Sequence, residues 1–148
     1  EFVPLPFVHM EAPMYLRGHA RQGPSLRETL LMHAVARLAL HPLIPNIQAS
    51  WVKLGPEWAQ RCLQAGANDL GGTLMNESIS RAAGAAHGQE YSPAEMQQLA
   101  AAIGRPARQR NTLYGDAGAD CIERARHAAP LCESYNAPIA RRASAVPA

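Results

Sequence analysis

Apolar positions along this chain follow two rhythms that take turns. Leu30, Leu31, Ala34, Val35 and Leu38 return every three or four residues, the period of a helix that buries one face. That helix is predicted to start at Ser25, because Ser25-Leu26-Arg27-Glu28 is a capping box in which the serine oxygen accepts from the backbone at Glu28 and the Glu28 carboxylate reaches back. It stops at His41-Pro42, since the residue before a proline resists the helical region. Pro56 suits a first helical position and Gly66 a left-handed stop, which predicts a second helix over 57–65. A second capping box, Ser92-Pro93-Ala94-Glu95, opens a helix that Gly104 closes, and further helices are expected over 78–86 and 120–128, ahead of a frayed tail.

Between these lie runs too short for a buried helix and bounded by Pro or Gly, at 2–9, 46–54 and 68–75, which read as strands. In the second, the period of two puts Ile47, Ala49, Trp51 and Lys53 on one face. Pro4 and Pro6 weaken the first by removing ladder donors. The Gly71-Gly72 pair weakens the third, and implies either close approach of something to the backbone or a bulge. One more extended piece is expected over 109–113. Strands alternating with helices give an α/β class with parallel pairing through right-handed crossovers. Three such units cannot close a barrel, which needs about eight strands, and three strands alone leave both edges unpaired. Further wall is therefore expected upstream, or from a second copy.

Composition narrows the function classes. Fourteen Lys and Arg against twelve acids leave a net charge of +2, too weak a field to imply nucleic acid. No apolar stretch reaches the roughly 20 residues of a membrane span and no leader pattern opens the chain, so no membrane and a cytoplasmic setting are expected. Cys62, Cys121 and Cys132 are too far apart in sequence for a metal-site motif and read as idle thiols.

In parallel α/β barrels, ligands meet the C-terminal ends of strands. That rule selects three clusters: His9, Met10 and Glu11; Trp51 and Lys53; and Met75, Asn76, Glu77 and Ser78. Asn76, Glu77 and Ser78 place three polar groups after an apolar run, as a ligand mouth would; helix capping explains them too. His9 could move a proton with Glu11 orienting it, or be a hydrogen-bonded wall residue. Lys53 could neutralise a carboxylate if its face lines a barrel, or snorkel to solvent if it faces the helices. Arg81 and His87 read as local salt-bridge or loop residues.

The residues themselves carry a resemblance. The run from Ala67-Asn68-Asp69-Leu70-Gly71-Gly72-Thr73-Leu74-Met75-Asn76-Glu77-Ser78 through Ile79-Ser80-Arg81-Ala82-Ala83-Gly84-Ala85, then His87-Gly88, resembles the terminal barrel strand and loop of the CofH family, subunit two of FO synthase, in the radical S-adenosylmethionine superfamily. So do Phe2-Val3-Pro4-Leu5-Pro6-Phe7-Val8-His9, His41-Pro42-Leu43-Ile44-Pro45-Asn46-Ile47-Gln48 and Ser50-Trp51-Val52-Lys53-Leu54-Gly55. The related menaquinone-pathway (futalosine) enzymes share the pattern but differ around 76–84.

The resemblance implies a partial (β/α) TIM-type barrel, the last three strand-helix units, over 1–115, with a C-terminal helix and tail over 116–148. It implies transfer of the hydroxybenzyl part of L-tyrosine to 5-amino-6-(D-ribitylamino)uracil by a radical made from S-adenosylmethionine at a [4Fe-4S] cluster. The cluster's CxxxCxxC motif does not occur here; the family carries it on the first barrel strand, so this stretch alone is expected to be inactive. The remainder of the barrel and the companion FO synthase half are the implied protein partners. Under the resemblance, Asn76, Glu77, Ser78, His9, Glu11, Lys53, Trp51, Gly71 and Gly72 are the candidates to meet substrate or S-adenosylmethionine. The competing readings are the futalosine-type enzyme and a non-catalytic half-barrel scaffold.

Overall fold

The computed structural model describes residues 1–74 and 77–129. Asn76 and Met75, Cys132 and the expected tail lie outside the described residues. In chain order the helices are α1 (Pro13–Leu16), α2 (Leu26–Leu40), α3 (Trp51–Leu54), α4 (Pro56–Gln64), α5 (Ile79–Ala82), α6 (Pro93–Ala101) and α7 (Ala119–Arg126).

Both capping boxes form. Ser25 Oγ accepts from the Glu28 N–H at 3.3 Å while the Glu28 carboxylate accepts from the Ser25 N–H at 2.6 Å. Ser92 and Glu95 repeat the exchange at 3.3 and 2.8 Å and start α6. Each satisfies donors that the first turn would otherwise leave orphaned. Helix α2 ends at His41, whose backbone is extended ahead of Pro42. Helix α4 starts on Pro56.

The three expected strands are much shorter than their apolar runs. The Phe2 N–H donates to the Asn46 carbonyl at 2.8 Å and the Gln48 N–H to the Phe2 carbonyl at 2.9 Å. On the other side of the middle segment, Asn68 N–H donates to Ile47 C=O and Ala49 N–H to Asp69 C=O, both at 2.9 Å. The pairing is parallel and in chain order, as the crossover argument required, yet each contact is an isolated bridge and no named strand forms among the described residues. Three local causes truncate them. Pro4 and Pro6 remove donors just past Phe2. Gly71, at φ +76°, turns the third segment away two residues beyond its bridge. Residues 51–54 coil into α3, with Trp51, Val52 and Leu54 all buried.

That corrects the reading of Lys53, which shares a helical turn, not a strand face, with Trp51. The extended piece expected over 109–113 reduces to one antiparallel bridge, Arg110 to Asp116, around a turn in which Asn111 N–H donates to Gly115 C=O at 2.9 Å. The helix expected over 78–86 is only α5, stopped near Gly84 at φ +101°. Helix α1, with Pro13 in its first turn, was not anticipated.

The core lies between the bridged segments and the helices that connect them. Ile47, Ala49, Ala59, Cys62 and Ala67 are fully buried, with Trp51, Val52, Leu54, Leu63 and Ala36 close behind. Phe2, Leu30, Trp58, Met96 and Leu99 pack around them. Helix α4 touches both α2 and α6 and so carries the middle of the layer. The other face of α2 is bare: Leu31, Val35 and Leu38 are exposed, Leu38 at 83%.

Candidate functional site

The loops after the three extended segments meet at one end of the molecule. The Glu11 N–H donates to the Ala83 carbonyl at 3.1 Å, which joins the loop after the first segment to the loop after the third. Gly84 lies so close to Met10 that a Cβ there would stand 2.8 Å from the Met10 Cβ. Lys53 Nζ donates to Ser80 Oγ at 3.1 Å and joins the second segment to the third loop. The strand-end rule thus gathered residues distant in sequence, even though the strands are short.

Around Lys53 the polar groups form a chain. The Ser80 N–H donates to the Glu77 carboxylate at 3.1 Å, so Glu77 caps α5 in the place expected of Asn76 or Ser78. Ser78 stands at the N-cap position without a side-chain capping bond. The Glu77 N–H donates to the Gln89 carbonyl at 3.2 Å and the Tyr91 N–H to the Thr73 carbonyl at 3.3 Å, which ties Thr73 and Glu77 to 89–91. Arg81 donates to the Gln89 side-chain oxygen across the same fold.

Trp51 is 2% exposed, and its indole N–H donates to the Gly72 carbonyl at 2.9 Å. Its ring packs on Tyr91, centroids 5.4 Å apart. Burial pushes the Tyr91 phenol above its ordinary value, and the Glu95 carboxylate adds to the rise. Gly71 and Gly72 differ. Gly71 is at φ +76°, its N–H donates to Asp69 Oδ1 at 2.6 Å, and a Cβ there would stand 2.6 Å from the Gln48 amide nitrogen. A Cβ on Gly72 would meet nothing within 4 Å. The pair combines a turn with an open backbone, so the turn at Gly71 replaces the bulge suggested for this pair.

His9 accepts at Nδ1 from the Gly23 N–H at 3.1 Å and meets Tyr15 edge-on at 4.7 Å, the pattern of a hydrogen-bonded wall residue. That acceptor role puts the proton of the neutral ring on Nε2. Among the described residues no hydrogen bond joins it to Glu11, which is exposed, so the expected orienting carboxylate is not in contact. His87 covers Gly55, where a Cβ would stand 2.6 Å from its ring.

A cavity of about 680 Å³ opens on the other side of the third segment, between it, α6 and the stretch 105–117. Gly71 and Gly72 belong to both the cavity wall and the candidate site. Ser80, Tyr91 and the cavity's Arg110 were missed from the sequence. A serine inside a helix and an arginine in an extended piece carry no pattern, whereas Tyr91 stands directly before a capping box, where a residue packs onto the helix entry.

The described residues do not fit an iron-sulfur cluster. They contain no group of three or more His, Cys, Asp or Glu placed to hold a metal. Cys62 is buried, with burial pushing its thiol up to about 11, and Cys121 stands exposed on α7. Among the described residues no helix is long and apolar enough to cross a membrane. What the end of the molecule does offer is a cation already seated on a hydroxyl, two carboxylates, and a phenol packed against a buried indole: groups suited to hold a small polar molecule with a charged end.

The family model of the CofH/MqnC C-terminal region matches residues 1–119. FO synthase of Streptomyces coelicolor is 59% identical over 115 residues, 78% of this chain and 13% of that protein. FO synthase of Mycobacterium tuberculosis is 59% identical over 114 residues, 77% of this chain and 13% of that protein. The 5-amino-6-(D-ribitylamino)uracil--L-tyrosine 4-hydroxyphenyl transferase of Methanopyrus kandleri is 60% identical over 114 residues, 77% of this chain and 31% of that protein. The chain therefore spans between about an eighth and a third of the length of these relatives. No solved structure matches it.

Proposed function

The chain belongs to the CofH/MqnC C-terminal region family, and from that premise we propose that it is the closing part of a radical S-adenosylmethionine transferase of the FO synthase type. The whole polypeptide joins the hydroxybenzyl part of L-tyrosine to 5-amino-6-(D-ribitylamino)uracil. The observation that carries this reading is 60% identity, over 77% of the chain, to a relative named for that transfer. The family implies a TIM-type fold, in which 1–115 are the last three strand-helix units of the barrel and 116–148 an extension. Parallel bridging in chain order supports that arrangement.

The cluster and its ligands belong elsewhere in the polypeptide, and no step of the chemistry is assigned to residues of this chain. Their work is binding and exclusion of water. Lys53, seated on Ser80, is the cation for the carboxylate of the amino-acid substrate; Tyr91, packed on the buried Trp51 ring, provides the aromatic surface; Gly72 leaves its backbone open to a ligand. Glu77, Ser78, His9 and Glu11 complete the rim. A closed apolar surround protects a radical from stray hydrogen donors, and the difficult chemistry remains the cofactor's. The companion FO synthase half supplies the other partner of the pathway step.

The test is the full-length gene product, reduced and supplied with S-adenosylmethionine, tyrosine and the ribitylaminouracil. Formation of the coupled product is expected. No product from these substrates, with turnover of a futalosine-type substrate instead, would overturn the assignment in favour of the menaquinone-pathway relatives that share the family.

A further inference from the structure

We propose that Arg110 is a positioning residue for the ligand end of the molecule, acting through Asp69 and the Gly71–Gly72 backbone on the indole of Trp51. The inference rests on the functional reading above only for its activity readout; the geometry is independent of it.

Arg110 grips both carboxylate oxygens of Asp69: Nε donates to Oδ2, and a terminal nitrogen donates to Oδ1 at 2.9 Å. The two-pronged fork fixes the plane of the carboxylate as well as its position. Asp69 Oδ1 also accepts from the Gly71 N–H at 2.6 Å, and this bond shapes the positive-φ turn at Gly71. One residue on, the Gly72 carbonyl accepts from Trp51 Nε1 at 2.9 Å. Hydrogen bonds joined by the Gly71–Gly72 backbone thus link Arg110, far along the chain, to the buried ring on which Tyr91 packs.

Arg110 is itself held. Its guanidinium lies over the Tyr114 ring at 4.2 Å and within 3.7 Å of Glu1, whose carboxylate also accepts from the Tyr114 hydroxyl. The Asp69 side chain is only 10% exposed. Without the guanidinium that carboxylate would be left nearly buried and uncompensated, so it would have to turn toward water and release the Gly71 N–H.

Lysine keeps the charge but cannot supply the fork, so Arg110→Lys separates charge from geometry. In the full-length protein, Arg110→Ala is expected to lower kcat by about 10- to 100-fold, with KM for tyrosine changed less than about twofold, the signature of misplacement rather than lost binding. Arg110→Lys should recover only part of that loss, and Asp69→Asn, which keeps one oxygen for Gly71, should be milder. Hydrogen exchange gives a readout that needs no turnover: the Gly71 amide, held by Asp69, and the Trp51 indole N–H, held by Gly72, should exchange faster in Arg110→Ala while the amides of α2 do not change. Unchanged exchange at Gly71 and Trp51 would overturn the proposal, and so would faster exchange spread equally over α2 and α4. If the wild-type protein makes no transfer product, the functional reading fails, and the exchange experiment still decides the role of Arg110.

Discussion

Lys53 Nζ sits 3.1 Å from Ser80 Oγ, so the one lysine of the chain is tied to the loop that follows the third segment rather than left to solvent. The hydroxyl orients the ammonium without neutralising it, which leaves the charge available to an anion. Lys53→Met in the full-length protein should raise KM for tyrosine about tenfold with a small change in kcat, since a charged hydrogen bond contributes roughly 1.5–3 kcal/mol. Ser80→Ala should have a smaller effect, because it frees the lysine rather than removing it. Steady-state kinetics with varied tyrosine check both, and an unchanged KM in Lys53→Met would remove Lys53 from the site.

The two cysteines of the described residues should behave as opposites. Cys62 is buried, with its thiol pushed up to about 11 by burial alone, whereas Cys121 is exposed. The thiolate is the reactive form, so at pH 8 a thiol reagent should modify Cys121 and leave Cys62 untouched until the protein unfolds. Mass spectrometry of labelled peptides, with and without denaturant, reads this directly. Labelling of Cys62 in the native protein would mean that the core between α4 and the bridged segments opens.

The helices were legible in the sequence because their signals are local. Ser25, Glu28, Ser92 and Glu95 name their own partners three residues away, Pro56 acts on its own backbone, and Pro42 acts on the residue just before it. The parallel order of the extended segments was legible as well, since it follows from alternation with helices. Their lengths were not. The coil of 51–54 into α3 goes with an indole bond from Trp51 to Gly72, 21 residues away, a partner that no local pattern signals. The candidate site followed the same division: strand-end position singled out Lys53, Glu77 and Trp51 as candidates, but nothing near Ser80 or Arg110 in sequence announced their partners, 27 and 41 residues distant.

The start of α6 should be sensitive to acid. The Glu95 carboxylate lies below its ordinary value of 4.5, chiefly through the Ser92 hydroxyl at 2.7 Å and then the Ser92 backbone N–H, with burial opposing. A lowered carboxylate value in the folded state means that its stabilisation is fully present above the ordinary value and is lost as pH falls through the lowered one. The exposed setting keeps the effect small. Ser92→Ala should cost about 1 kcal/mol of local stability in α6 at neutral pH and flatten the acid dependence. Hydrogen exchange of α6 amides across an acid titration measures both, and a wild-type profile that stays flat through the carboxylate range would contradict it.

Gly71 and Gly72 give the sharpest separation of fold from function. Gly71→Ala places a Cβ at φ +76° and 2.6 Å from the Gln48 amide, so it should destabilise the turn by more than about 1 kcal/mol whatever binds nearby. Gly72→Ala meets nothing within 4 Å, its backbone is not at a positive φ, and its carbonyl bond to Trp51 survives the change. The added methyl should therefore leave the melting temperature of the full-length protein unchanged. If the open space beside Gly72 is where a ligand approaches the backbone, the same methyl should weaken substrate or S-adenosylmethionine binding several-fold, a loss that equilibrium binding detects without turnover. A stable Gly72→Ala protein that binds both at full strength would show that space to be empty in the working enzyme and would move the ligand away from the third segment.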